Sequence, residues 1–151
     1  MEESIKNFRE AFHLKDADAS QYSPLVLAYM GDAVYEVMVR TLVVNRGNRQ
    51  VSKLHKMSAD LVKAASQAKI VLALDEELSE AERAVYKRGR NAKSFTMAKN
   101  ATMHDYRIAT GFEALVGYLY LDGQYERLNR LVSLGLEKIG VWEEENTNHE
   151  V

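Results

Sequence analysis

The chain has 151 residues, 46% of them hydrophobic and 28% charged, which is enough for one globular domain with a core and too little for two. The net charge of −2 excludes a uniformly basic chain. The absence of cysteine excludes disulfides and thiolate metal sites. Charged residues at the N-terminus and the lack of a long uncharged apolar run exclude a signal peptide and a membrane span, so we expect a cytoplasmic protein without membrane contact.

Three parts are expected along the chain. Residues 1–22 form an N-terminal helix and lead-in, residues 23–140 form the main folded domain, and residues 141–151 form a flexible acidic tail. The middle part has no internal repeat and no sustained β-alternation, so the predicted fold class is all-α, a helical bundle.

Two helices are predicted in the first half of the domain. One begins at Ser23, where a serine cap precedes a proline at the first helical position, and ends near Val44. Ser58 is predicted to cap another, which runs towards Leu74.

The second half of the domain is predicted to hold three helices. A capping box of Ser79 and Glu82 opens the first of them, and Gly89 is expected to end it. Residues 91–101 have no sustained period and are predicted to form a loop. Thr102 then opens a long helix that ends near Asp122, and the last helix covers about residues 125–138.

Two of these helices are apolar on nearly every face, and each carries one acid in its middle. Asp32 lies within the apolar run of residues 25–35, and Glu113 lies within residues 111–121. Such helices are expected at the centre of the fold, where an unpaired carboxylate is costly and needs a partner. The partner is a basic side chain such as Arg40 or Arg107, a shared proton, or a cation. Mg²⁺ prefers oxygen ligands, so two carboxylates on facing helices would suit it.

The charges are unevenly distributed along the chain. Residues 83–107 contain seven Lys or Arg against Asp105 alone, a net charge of +6, and residues 46–69 contain six against Asp60, a net charge of +5. The acids gather in residues 75–82 and in the tail. Two segments able to bind a polyanion are therefore predicted within a slightly acidic protein.

The residue order around both acids resembles that of the ribonuclease III family. Residues 27–34, LAYMGDAV, are similar to the family's catalytic signature, and residues 112–122, FEALVGYLYLD, are similar to its second motif. Residues 87–93, KRGRNAK, resemble the Mini-III branch, as do residues 54–56 and 65–68. The resemblance covers about residues 23–132 and implies a ribonuclease III-like catalytic domain over residues 23–140, without a separate domain for binding double-stranded RNA.

The resemblance also implies which residues form the active site. Asp32 matches the catalytic aspartate and Glu113 the metal-binding glutamate, with Mg²⁺ as the cofactor and Mn²⁺ as its substitute. Larger relatives have two further acids, which Ala28 and Thr110 replace here, so water and RNA phosphate must supply more of the metal's ligands. Gly31, beside Asp32, would let another backbone or an RNA strand come close.

Glu36 lies one helical turn after Asp32 and is therefore expected on the same face. Glu36 is a candidate metal ligand, or a residue whose carboxylate lies in the second coordination shell of the metal. The alternative is an ion pair with Arg40, four residues further along.

The catalytic domain is expected to bind double-stranded RNA itself, mainly through phosphates and 2′-hydroxyls. The predicted contacts are Arg88, Arg90, Asn91, Lys93, Lys53, His55 and Lys56. For each residue taken alone, a solvated charged surface is the alternative.

The resemblance implies a homodimer with two active sites, which cut one strand each and leave 5′-phosphate and 3′-hydroxyl ends. Its expected substrate is the precursor of 23S ribosomal RNA, with a ribosomal protein as a candidate helper. Two rival functions stay open: a ribonuclease III-like RNA-binding module that has lost catalysis, and a helical adaptor that binds only protein.

Overall fold

A computed structural model describes residues 2–93 and 102–141. Within those ranges the chain is helical and contains no strand, which confirms the predicted all-α class. The helices of the described ranges are α1 (Glu2–Ala11), α2 (Pro24–Asn45), α3 (Val51–Val62), α4 (Ala64–Ala73), α5 (Glu80–Asn91), α6 (Met103–Leu121) and α7 (Tyr125–Lys138), with short 3₁₀ turns at Ala19–Gln21 and Asp75–Glu77.

Helix α6 is the centre of the bundle. It packs against α2, α4, α5 and α7, and Phe112, Val116 and Leu119 on it are at most 2% exposed. The ring of Phe112 meets Tyr35 of α2 edge to face, with 5.1 Å between the ring centroids. The prediction that the helix around Glu113 lies centrally is therefore confirmed.

Helix α2 is equally apolar, but it buries one face only. Its buried residues recur every four positions: Leu27, Gly31, Tyr35, Val39 and Val43, together with Ala28. The opposite face exposes large apolar side chains, namely Tyr29 at 81%, Val37 at 60% and Val44 at 60%. Helix α2 packs against α6, α3 and α5, but the expectation that it is a buried helix holds for one face only, because these outer side chains are exposed.

The predicted helix starts agree with the structure where a cap supplied the signal. The hydroxyl oxygen of Ser23 accepts the backbone N–H of Val26 at 3.3 Å, and Ser79 and Glu82 form the reciprocal capping box. The Thr102 side chain accepts the N–H of Asp105 at 3.1 Å at the start of α6. Caps were predictable because they depend on residues three positions apart.

The predicted helix from Ser58 to Leu74 is wrong. Two helices replace it, α3 and α4, with extended backbone at Lys63 between them, and Ser58 is buried within α3. Side chains of α4 stabilise the break: the Ser66 hydroxyl donates to the Asp60 carbonyl at 2.6 Å, and Gln67 Nε2 donates to the Val62 carbonyl at 2.7 Å.

The prediction that Gly89 ends its helix is wrong, because α5 continues to Asn91. A Cβ at Gly89 would crowd Ala114 of α6, so the glycine allows the close approach of two helices.

Of the loop predicted at residues 91–101, residues 94–101 lie outside the described residues, as does the tail beyond residue 141. None of the helices among the described residues has the length and hydrophobicity of a membrane span.

Candidate active site

Two glycines bring α2 and α6 into direct backbone contact. A Cβ on Gly31 would overlap the carbonyl oxygen of Glu113, and a Cβ on Gly117 would overlap the carbonyl oxygen of Leu27. Of the two uses expected for Gly31, the structure therefore supports close backbone packing, because the other helix fills this space. The same crossing places the residues after Gly31 and around Glu113 next to each other.

Asp32 and Glu113 meet at this crossing. Glu113 is partly buried and Asp32 is exposed, so the expectation that both acids are buried is wrong for Asp32. Burial, followed by the hydrogen bond and the charge of the Asp32 carboxyl, raises the pKa of Glu113 to about 9. Two acids more than eighty residues apart in the chain thus form a close pair.

No basic side chain compensates this pair among residues 2–93 and 102–141. The ion pairs found there include neither Asp32 nor Glu113. Arg40, one expected partner, binds Glu36 instead, and Arg107, the other, lines a cleft at the start of α6. Of the three partners considered from the sequence, a shared proton and a cation are left.

Among residues 2–93 and 102–141, the two carboxylates have no third metal-binding group beside them. The described part of the chain contains no cluster of three or more acidic, histidine or cysteine residues that could hold a metal ion. Ala28 and Thr110, which replace the further acids of larger relatives, are both buried, and the Thr110 hydroxyl donates to the Tyr106 carbonyl at 2.8 Å. Within the described ranges, the ligands available to a metal at this crossing are therefore the carboxylate oxygens of Asp32 and Glu113.

Glu36 forms the ion pair that was the alternative to a role at the metal site. Arg40 Nε donates to Glu36 Oε1 at 2.9 Å, four residues apart on α2. This contact accounts for Glu36 without a metal.

The predicted RNA contacts lie on two helices and, for Lys93, just past the end of α5. Arg88, Asn91 and Lys93 are exposed at the end of α5, and Arg90 is partly buried. The Arg90 guanidinium lies 5.7 Å from the centroid of the Tyr86 ring, and its Nε donates to Asn91 Oδ1 at 3.2 Å. The tyrosine and the asparagine thus restrict where this guanidinium points.

The second basic segment lies on α3, which packs against α2 and α4. Lys53, His55 and Lys56 are all exposed there. His55 also lines a small cavity of about 150 Å³ between α2 and α3, together with Arg40. The two basic segments therefore reach the surface from helices that both pack against α2.

Sequence reasoning missed two arrangements of charged residues. Arg127 of α7 binds Glu82 of α5 through two hydrogen bonds of 2.8 Å, although only the capping role of Glu82 was predicted. His104 and Arg107 share a cleft with Arg90 and Lys93. No spacing rule could have found either arrangement, because each joins residues of different helices.

Comparisons with known proteins agree with the motifs. The ribonuclease III domain family matches residues 25–124, a range that includes both acids. A Mini-ribonuclease 3 of Clostridium tetani is 47% identical over 132 residues, which is 87% of this chain and 85% of that protein. A Mini-ribonuclease 3 of Thermoanaerobacter is 45% identical over 140 residues, 92% of this chain and 99% of that protein.

The fold is also similar to that of a solved structure. A crystal structure of a Fusobacterium nucleatum protein superposes with a TM-score of 0.71 at 29% identity, and the match covers 80% of this chain and 96% of that one. The chain therefore belongs to the Mini-ribonuclease 3 family and is an endoribonuclease with an all-α catalytic domain of the ribonuclease III type.

Proposed function

We propose that the protein is a Mg²⁺-dependent endonuclease that cuts double-stranded RNA, with Asp32 and Glu113 as the metal-binding catalytic residues. The observation that carries this proposal is the close pair of carboxylates at the α2–α6 crossing, which no described basic side chain compensates. A protein gains no stability from two adjacent acids in a partly buried place. An arrangement of this kind fits a site that is completed by a cation.

The donor set at the crossing suits a hard divalent ion. Mg²⁺ takes oxygen ligands, keeps several waters and is held in many enzymes by one or two carboxylates together with substrate phosphate. When bound, the ion supplies Lewis-acid activation of a water molecule and neutralises charge on the phosphodiester. Asp32 and Glu113 hold the ion, and the backbone contact at Gly31 and Gly117 fixes the spacing of the two acids.

The cleaved bond is proposed to be the one between phosphorus and the 3′-oxygen. The oxygen of water bonds to phosphorus, and the 3′-oxygen leaves and takes a proton. The products carry 5′-phosphate and 3′-hydroxyl ends. The basic residues of α3 and of the α5 end hold the neighbouring phosphates, because exposed Lys and Arg side chains bind the RNA backbone without reading its sequence.

A homodimer is proposed through the outer face of α2. This face carries Val26, Tyr29, Val37 and Val44, each at least 47% exposed in the single chain. Exposed apolar side chains aligned on one helix are typical of a surface that another protein covers. Replacing Val37 with Glu is expected to shift the molecular mass measured by light scattering from dimer to monomer.

The natural substrate is proposed to be the precursor of 23S ribosomal RNA, with a ribosomal protein as helper. Membership of the Mini-ribonuclease 3 family supports this choice of substrate. Cells that lack the protein are expected to accumulate 23S precursor with extended ends, which primer extension would detect.

The decisive assay incubates the protein with end-labelled duplex RNA in Mg²⁺ or in EDTA. We expect cleavage in Mg²⁺ alone, products that a 5′-phosphate-dependent exonuclease degrades, and no cleavage by the Asp32→Asn variant. Binding without cleavage by the wild-type protein would support the catalytically inert RNA-binding module instead, a rival favoured by the loss of acids at Ala28 and Thr110. Absence of binding, with little salt dependence, would support the protein-binding adaptor.

A further inference from the structure

A wide basic cleft lies where the end of α5 meets the start of α6. Its volume is about 790 Å³, and four basic residues line it: Arg90 and Lys93 from the α5 side, and His104 and Arg107 from α6. Its lining contains no acidic residue among those described. The cleft therefore gathers cationic groups from two helices around one opening.

The helix dipole explains why basic residues lie at the end of α5, but it does not explain Arg107 near the start of α6. Basic side chains near the C-terminus of a helix are stabilised by its dipole, as at Arg88 and Arg90. The start of α6 carries the opposite partial charge, which disfavours the Arg107 guanidinium just after the first turn. In residues 2–93 and 102–141, no carboxylate forms an ion pair with Arg107. An anion bound in the cleft would relieve the repulsion between these groups.

The basic and apolar lining of the cleft fits a sugar-phosphate backbone. Leu72, Met103 and Ile108 contribute apolar surface to it, while the basic groups supply hydrogen-bond donors. The Tyr86 ring holds the Arg90 guanidinium at 5.7 Å. Phosphate oxygens would face the basic groups, and a ribose would lie against the apolar surface.

We propose that His104 and Arg107 bind a backbone phosphate of the RNA duplex and extend the surface formed by Arg90 and Lys93. This inference rests on the proposed function. Arg107 precedes Glu113 by six residues on α6, or about 9 Å along the helix axis. The cleft thus holds one phosphate next to the active site and positions the duplex. The bond itself is cut at Asp32 and Glu113.

The test measures duplex RNA binding as a function of salt in the cleavage-deficient Asp32→Asn background. Arg107→Ala is expected to weaken binding about 5- to 10-fold and to lower the slope of log affinity against log salt by about 1, as for one lost phosphate contact. Arg107→Lys should keep the slope because it keeps the charge. The matched control is Arg130→Ala, an exposed arginine of α7, which should change neither quantity.

In the active protein, Arg107→Ala should raise KM and leave kcat at saturating RNA unchanged, since uniform binding energy is lost. Binding equal to that of Arg130→Ala, or a loss confined to kcat, would overturn the proposal. Arg107→Gln repeats the test if the alanine variant melts at a lower temperature. A wild-type protein that neither binds nor cuts duplex RNA would instead refute the proposed function itself.

Discussion

Glu82 and Glu113 are two glutamates removed from water in opposite surroundings. Glu82 is 4% exposed, and its carboxylate receives two hydrogen bonds from Arg127 and one from the Ser79 backbone N–H, each 2.8 Å long. These bonds lower the pKa of Glu82 in spite of its burial. The Glu113 carboxyl has another acid, Asp32, as its neighbour, and burial and Asp32 raise its pKa to about 9.

The difference separates a carboxylate that joins helices from one that is left for a ligand. Arg127 connects α7 to α5 and also donates to the Glu77 carbonyl at 2.6 Å, so the Glu82 pair stabilises the fold. The Glu113 pair lowers stability when both acids are ionised. Substitution of Glu113 should therefore lower activity and raise stability, whereas substitution of Glu82 or Arg127 should lower stability.

The largest expected effect is on catalysis. Glu113→Gln should lower the rate of duplex RNA cleavage by more than about 100-fold, because the loss of even an outer partner of a metal ligand lowers activity 10- to 100-fold. The matched control is Glu137→Gln, at an exposed position of α7, which should cleave at the wild-type rate. Cleavage by Glu113→Gln within a few-fold of wild type would remove the assignment of this site.

The next effect is on folding, at the other glutamate. Arg127→Ala should lower the free energy of unfolding by about 3 kcal/mol, because it leaves the buried Glu82 carboxylate without its cation. Arg130→Ala, on the same helix but exposed, should change it by less than about 0.5 kcal/mol. Urea denaturation measures both variants, and equal midpoints would show that the Glu82 pair is not structural.

A smaller effect has the opposite sign. In EDTA, Glu113→Gln should raise the free energy of unfolding by about 1 kcal/mol, or the melting temperature by about 2–4 °C, since it removes a poorly solvated acid beside Asp32. Glu82→Gln should lower the melting temperature, because Arg127 then loses its ionic partner. A decrease for Glu113→Gln would contradict the idea that this acid lowers stability.

A further effect is on the pH dependence of stability in EDTA. The pKa of Glu113 rises on folding from 4.5 to about 9, so its contribution to stability is fully present below pH 4.5 and is lost as the pH rises towards 9. The pKa of Glu82 falls on folding, so its contribution is present above 4.5 and is lost as the pH falls through its lower folded value. The melting temperature of Glu113→Gln should therefore fall less between pH 5 and pH 9 than that of the wild type. Parallel declines would contradict the raised pKa.

The parts of the fold that local chemistry determines were predictable from the sequence. Ser23, Ser79 and Thr102 cap helices because a hydroxyl reaches a backbone N–H three residues ahead. Asp32 and Glu113 stood out because each interrupts an apolar helix and because the residues around them resemble a known family.

The rest depends on which helices meet, and local patterns do not contain that information. Apolar periodicity could not show that one face of α2 is left uncovered, since burial by another chain gives the same pattern as burial by this one. Glycine occurs both at helix ends and at close helix contacts, so the sequence alone could not show which of these roles Gly89 has. The bond between Glu82 and Arg127 joins residues 45 positions apart, and no helical period connects them.

A crystal soaked in Mn²⁺ would show whether Asp32 and Glu113 together hold a divalent cation. We predict an anomalous density peak within about 2–2.6 Å of a carboxylate oxygen of each acid, as expected for oxygen ligands of hard divalent cations, and no such peak in Glu113→Gln crystals. A wild-type crystal that binds Mn²⁺ elsewhere, with no peak between these two carboxylates, would rule out this metal site.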